Sequence, residues 1–130
     1  MNPRSRRERG AAAVEFALIL PILLMLVGGT VDFGRLFYTQ IQLSNAARDG
    51  VRLAAMGTTY STSQIQDRTR VAASPLTVVN SGVTVTVCTG APPQATVSVV
   101  PQSTFRWTIL GFVPGLPLPQ PTGSATMTCT

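Results

Sequence analysis

The chain contains no histidine. That removes the usual Ser-His-Asp and Cys-His catalytic systems. Two cysteines without histidine make a poor zinc site, so no metal is expected. There is no glycine-rich phosphate-binding loop. Carboxylates are scarce, with 5 Asp plus Glu against 10 basic residues. Beyond residue 56 the charged side chains are Asp67, Arg68, Arg70 and Arg106, too few to build a cleft of perturbed ionisable groups. Aromatic residues make up 6% and do not interleave with basic ones in the tail, so nucleic-acid binding has no support. The expectation is therefore a protein that is not an enzyme, with no cofactor and no small-molecule substrate.

What the chain does have is one long apolar run. Residues 11–31 carry a single charge, Glu15, in a chain of mean hydropathy +0.28. As a helix rising 1.5 Å per residue this run spans about 31 Å, close to the ~30 Å hydrocarbon core of a bilayer. Arg4, Arg6, Arg7 and Arg9 precede it, opposed by Glu8, whereas Asp32 and Arg35 nearly cancel beyond it. Positive charge stays inside, so the N-terminus is expected in the cytoplasm and the remainder outside. Membrane lipid thus accounts for the basic cluster better than nucleic acid does. A cleaved secretory signal has the same outline, with cleavage after small residues such as Gly28 or Gly29. However, the run is longer than a usual signal core, and the sequence after it continues as a helix.

The organisation divides into four parts: a basic leader over 1–10, disordered through residue 9; a membrane helix over 11–31; an amphipathic helix over 32–56; and a small β-rich unit over 57–130. Pro21 falls inside the membrane helix and removes one backbone donor, which predicts a kink. In 32–56, Phe33, Leu36, Phe37, Ile41, Ala47, Val51 and Ala54 recur at spacings near three and four, with charged residues on other faces. One helix from 11 to 56 is expected, ended by Gly57 and Thr58–Thr59. Ser63 and Gln66 have capping-box spacing for a second helix over 63–73, closed off by Pro75. From residue 76 the period is two. Strands are expected over 76–79, 83–88, 95–100, 105–110 and 124–130, with a Pro/Gly-rich loop over 111–123. The fold class is α+β: a long N-terminal helix carrying a small antiparallel β-rich exported domain.

Cys88 and Cys129 both follow the apolar run. An exported domain meets an oxidising compartment, which favours a bridge between them. Strand alternation argues the other way, since Cys88 shares a face with Thr84 and Thr86 while Cys129 shares one with Ala125 and Met127. Asp32, Asp49 and Asp67 each precede an arginine by three residues, which reads as helix-surface ion pairing.

Glu15 is the unusual charge. A carboxylate deep in a bilayer costs roughly 2.5–3.5 kcal/mol on insertion scales, less near the interface. Two explanations stand: it reaches water at the cytoplasmic surface, or it pairs with a positive group inside an assembly. Cleavage after Gly10 would free an amine on Ala11, about one helical turn from Glu15. Between staggered neighbouring helices that amine would neutralise the carboxylate and fix their axial register.

The order Arg9-Gly10-Ala11-Ala12-Ala13-Val14-Glu15-Phe16-Ala17-Leu18, then Leu20-Pro21, Val31-Asp32-Phe33-Gly34-Arg35 and Asn45-Ala46-Ala47-Arg48-Asp49-Gly50-Val51-Arg52, resembles the TadE-like family. These are minor pseudopilins of the tight-adherence (Tad/Flp) pilus system. The resemblance implies processing by a prepilin peptidase between Gly10 and Ala11, and Glu15 as the assembly glutamate. It also implies partnership with other pilin-like subunits and the Tad assembly machinery, in building adhesive pili at the bacterial envelope. Phe16 stands where the related major pilins carry tyrosine, and residues 57–130 match only in general character. Two rivals differ in what they require. A single-pass membrane protein whose outer domain binds a partner needs no leader removal, and an exported enzyme needs a charged cleft that residues 57–130 do not supply.

Overall fold

The computed structural model describes residues 3–89 and 93–129. It contains helix α1 (Pro3–Ala54), helix α2 (Thr62–Ala72) and strands β1 (Val83–Thr89), β2 (Gln94–Val99) and β3 (Gly123–Thr128). The long apolar helix followed by a three-stranded antiparallel sheet is an α+β arrangement. The chain forms two compact units. One joins residues up to Gly34 with Trp107–Pro117, and the other joins Arg35–Arg106 with Leu118–Thr130.

Helix α1 starts earlier and ends sooner than the sequence pattern predicts. Residues 3–9 are helical rather than a disordered leader. Proline suits the first helical position, where its missing N–H is not needed, and Arg and Glu are good helix formers. The helix stops at Ala54, and Gly57 takes a φ of +69° as the chain turns through a short 3-10 segment, Gly57–Thr59.

In the first unit α1 is long and apolar enough to cross a membrane, and its most apolar stretch is nowhere buried. Val14, Phe16, Leu18, Ile19 and Ile22–Val27 are all exposed. A helix that is apolar around its whole circumference has no polar face to turn to water, which is the composition of a segment solvated by lipid. Thr30 donates its hydroxyl to the Leu26 carbonyl at 2.9 Å, so even this polar side chain is satisfied on its own helix.

The second unit has a core of its own. From α1 it takes Leu43, Ala46, Ala47, Val51 and Ala54, all at 0–2% exposure. Their spacing of three and four puts them on one helical face. That face meets Ile65 of α2 and the inner face of the sheet, where Val83, Ala95, Val97 and Val99 are buried. From Val83 to Thr86 the pairing of β1 is regular: Val83 opposes Val99 and Val85 opposes Val97, and Val97 in turn opposes Ala125. Gly50 makes the packing possible, because a Cβ there would run into the Thr69 hydroxyl and stand 3.2 Å from Val97. On the outer face, the hydroxyls of Thr96 and Thr126 meet across β2 and β3 at 3.3 Å.

Helix α2 is capped by Ser61, not Ser63. The Gln64 N–H donates to Ser61 Oγ at 3.4 Å, and the Ser61 N–H donates to Gln64 Oε1 at 2.9 Å. Gln66, the partner expected for Ser63, instead donates to the Val83 carbonyl at 3.0 Å and ties α2 to β1.

Two expected strands are absent. Residues 76–79 are held by turn contacts, with the Leu76 N–H on the Ala73 carbonyl at 2.9 Å. Residues 105–110 are coil leading into a 3-10 turn, Leu110–Phe112. Side chains take backbone N–H groups that a neighbouring strand would otherwise bind: Gln120 accepts from Phe105 at 2.7 Å, and Asp32 accepts from Thr108, Ile109 and Leu110.

Candidate assembly site and anchored loop

Gly10, Ala11 and Glu15 all lie in α1 and are all exposed. Among the described residues nothing stands within 4 Å of a Cβ built on Gly10. Five residues of helix place Gly10 about 7 Å along the axis from Glu15. The Glu15 side chain is surrounded on its helix by exposed Val14, Phe16, Leu18 and Ile19. Among the described residues nothing hydrogen-bonds or ion-pairs with it. Pro21 falls within α1, with helix on both sides.

Asp32 is not where the sequence spacing puts it. It is fully buried rather than at the helix surface. Its carboxylate accepts from the N–H groups of Thr108 (3.0 Å), Ile109 (2.8 Å) and Leu110 (3.2 Å). Three successive donors converging on one acceptor form an anion-binding concavity at the start of the Leu110–Phe112 turn. Burial pushes the Asp32 carboxyl up. The hydrogen bonds from Ile109, Leu110 and Thr108 outweigh it and hold the group at about 2, below its ordinary 3.8.

The same loop packs against α1 at Gly28, where a Cβ would collide with the Ile109 side chain. Below Asp32, then, the helix is made smooth to receive Ile109. Next to Asp32, Phe33 and Trp107 meet edge to face, with centroids 5.8 Å apart. The sequence signal for this contact was the carboxylate at the end of an apolar run. Its partner lies 76 residues away, so helix periodicity could not supply it.

In the second unit, Cys88 and Cys129 are bridged. The conflict between strand faces is removed by a bulge. Thr86 pairs with Thr96 and Thr89 with Gln94, so β1 spends three steps where β2 spends two. The surplus residue turns Cys88 to the inner face, where its sulfur lies 3.6 Å from the Ala54 carbonyl oxygen. Cys129 stays on the face of Ala125 and Met127, pinned by its N–H on the Pro93 carbonyl at 3.0 Å.

Asp67 and Arg70 form an exposed pair at 3.4 Å, and Asn80 also donates to Asp67 at 3.2 Å. An exposed pair of this kind contributes little to stability. An open hollow of about 800 Å³ lies between α1 and β3, lined by Asn45, Arg48, Asp49 and Arg52 with Ser124–Met127. Among the described residues no group of three or more His, Cys, Asp or Glu side chains comes together to hold a metal ion.

These features define a class: α+β proteins with a lipid-compatible N-terminal helix and a small disulfide-closed sheet. Within that class, residues 10–52 match the family model described as TadE-like protein. The matched third of the chain includes Gly10, Glu15, Asp32 and most of the helical face that carries the sheet. No curated protein and no solved structure shows significant similarity to the chain.

Proposed function

We propose that the chain is a TadE-like pseudopilin, a structural subunit in the assembly of Tad/Flp-type adhesive pili. Residues 11–31 anchor it in the bacterial inner membrane by a single pass, with the arginine-rich start in the cytoplasm and the sheet outside. A prepilin peptidase cuts between Gly10 and Ala11. The new Ala11 amine of one subunit then meets Glu15 of a neighbour, and the apolar surfaces of their helices pack together.

The observation that carries this reading is Glu15 itself. It is an acid on an otherwise apolar, fully exposed helical surface, without a partner among the described residues, inside the segment matched to the family. A charge so placed is costly in lipid, and a freed N-terminus one turn away on a sister helix has the right chemistry to offset it. The bridge between Cys88 and Cys129 fits an exported sheet.

The test is the mass and N-terminal sequence of the protein expressed with its peptidase. The expected product lacks residues 1–10 and begins at Ala11. An intact arginine-rich start in membranes that hold active peptidase would overturn the reading.

A further inference from the structure

The stretch Ile109-Leu110-Gly111-Phe112-Val113-Pro114-Gly115-Leu116-Pro117 carries no polar side chain, and no charged one follows it to the end of the sequence. In a loop facing water this is unfavourable. Phe112 is 84% exposed, Val113 41% and Leu116 46%. The loop is nevertheless held firmly, by the Asp32 carboxylate and by Ile109 seated on Gly28. Gly28 lies inside the apolar run, three residues or about 4–5 Å short of its outer end. The loop's exposed apolar surface is therefore continuous with that of the helix.

Its backbone is also partly prepared for a medium poor in water. Exposed N–H groups are costly in the hydrocarbon core, so an irregular loop keeps its backbone at the hydrated interface and sends only side chains deeper. The N–H groups of Thr108, Ile109 and Leu110 go to Asp32. Those of Phe112 and Val113 go to the Ile109 and Leu110 carbonyls, each at 3.1 Å. Pro114 and Pro117 have none to satisfy, while those of Gly111, Gly115 and Leu116 find no partner among the described residues and call for interfacial water. Trp107 stands against Phe33 just beyond the apolar run, and tryptophan is enriched at the headgroup level of a bilayer.

We infer that the loop 109–117 is a second membrane element, inserting its Phe112 tip into the outer leaflet beside the helix. Its ligand is the acyl-chain region of the lipid. The inference rests on residues 11–31 crossing a bilayer, and it adds a point of lipid contact that leader cleavage and Glu15 pairing do not require.

Trp107 is the single tryptophan, which makes the test direct. The full chain is placed in excess phosphatidylcholine vesicles whose acyl chains carry bromine either near the glycerol or near the terminal methyl. Native Trp107 is expected to lose emission to the shallow bromines. Phe112→Trp in a Trp107→Phe background is expected to be blue-shifted, quenched by brominated lipid and shielded from aqueous iodide. Leu24→Trp in the same background reports the helix and is expected to be quenched by the deep bromines. If Leu24→Trp is quenched by lipid while Phe112→Trp responds only to iodide, the helix crosses and the loop proposal fails. If Phe112→Trp is dark to both quenchers, a protein neighbour covers the loop, which also overturns it. If Leu24→Trp ignores brominated lipid, the membrane reading and the loop proposal fail together.

Discussion

The Asp32 carboxylate accepts the Ile109 N–H at 2.8 Å, joining residues 77 positions apart. Because the carboxyl is held at about 2 rather than 3.8, its anchoring contribution is fully present above pH ~4 and disappears as pH falls through about 2. Trp107 emission in detergent should therefore stay constant from neutral pH down to about 4 and change below that. Asp32→Asn should show the altered emission already at neutral pH, with faster amide exchange at 108–110. A native-like Trp107 signal in Asp32→Asn would show that the carboxylate does not hold the loop.

Gly34 and Gly50 lie on the same helix but should respond oppositely to alanine. Nothing is within 4 Å of a Cβ at Gly34, so Gly34→Ala should be neutral or stabilising by up to about 1 kcal/mol through helix propensity. At Gly50 the new methyl meets Thr69 and Val97, so Gly50→Ala should destabilise by about 1–3 kcal/mol through overpacking. Denaturant unfolding in a fixed detergent would read both. Equal effects would mean that the close approach at Gly50 has been absorbed by small shifts.

Opening the Cys88–Cys129 bridge removes a closure across 41 residues. In the chain-entropy view that weakens the sheet unit by about 4 kcal/mol, an upper figure because the open chain retains some structure. The paired Cys88→Ser/Cys129→Ser variant should melt earlier than the oxidised protein and no earlier than the reduced one. A melt unchanged by reductant would remove the bridge from the list of stabilising features.

Glu15→Ala should leave membrane insertion intact, since it makes the run wholly apolar, yet abolish incorporation into a filament or subunit complex. Co-purification with the pilin-like partners after mild extraction is the measurement. Normal co-assembly of the variant would sink the intersubunit role.

Local patterns made most of the fold legible. The apolar run and the alternating valines of β1 and β2 report only on their own neighbourhood and lie where the pattern puts them, whereas the helical face was legible only at its far end: Ala47, Val51 and Ala54 are buried, but Phe33, Phe37 and Ile41 are exposed and Leu43 and Ala46 enter the core in their place. Errors arose where two local solutions competed. Ser61–Gln64 and Ser63–Gln66 have the same spacing, and the first pair caps because the second glutamine is taken by the Val83 carbonyl. Phe105–Leu110 alternates like a strand, but Gln120 and Asp32 claim its N–H groups from a distance. Gln40 acts in a similar way, gripping the Thr122 carbonyl and N–H at 2.6 and 3.1 Å just before β3. Such side-chain grips span tens of residues and leave no period to read. Glu15 was legible for a different reason: one acid in an apolar run is conspicuous without any neighbour.

The extra residue in β1 also has a consequence for how this protein tolerates change. Insertions and deletions in a short strand usually alter its length or its turn. Here, removing Val87 would restore even pairing between Thr86 and Gln94 and set Cys88 opposite Ala95, on the same inner face that the bulge gives it. Thiol titration of that deletion should find no free sulfhydryl, and two would show that the bulge itself is needed to close the bridge. A one-codon loss would thus leave the covalent crosslink in place, because the face on which Cys88 stands, more than the length of the strand, is what the oxidised form depends on.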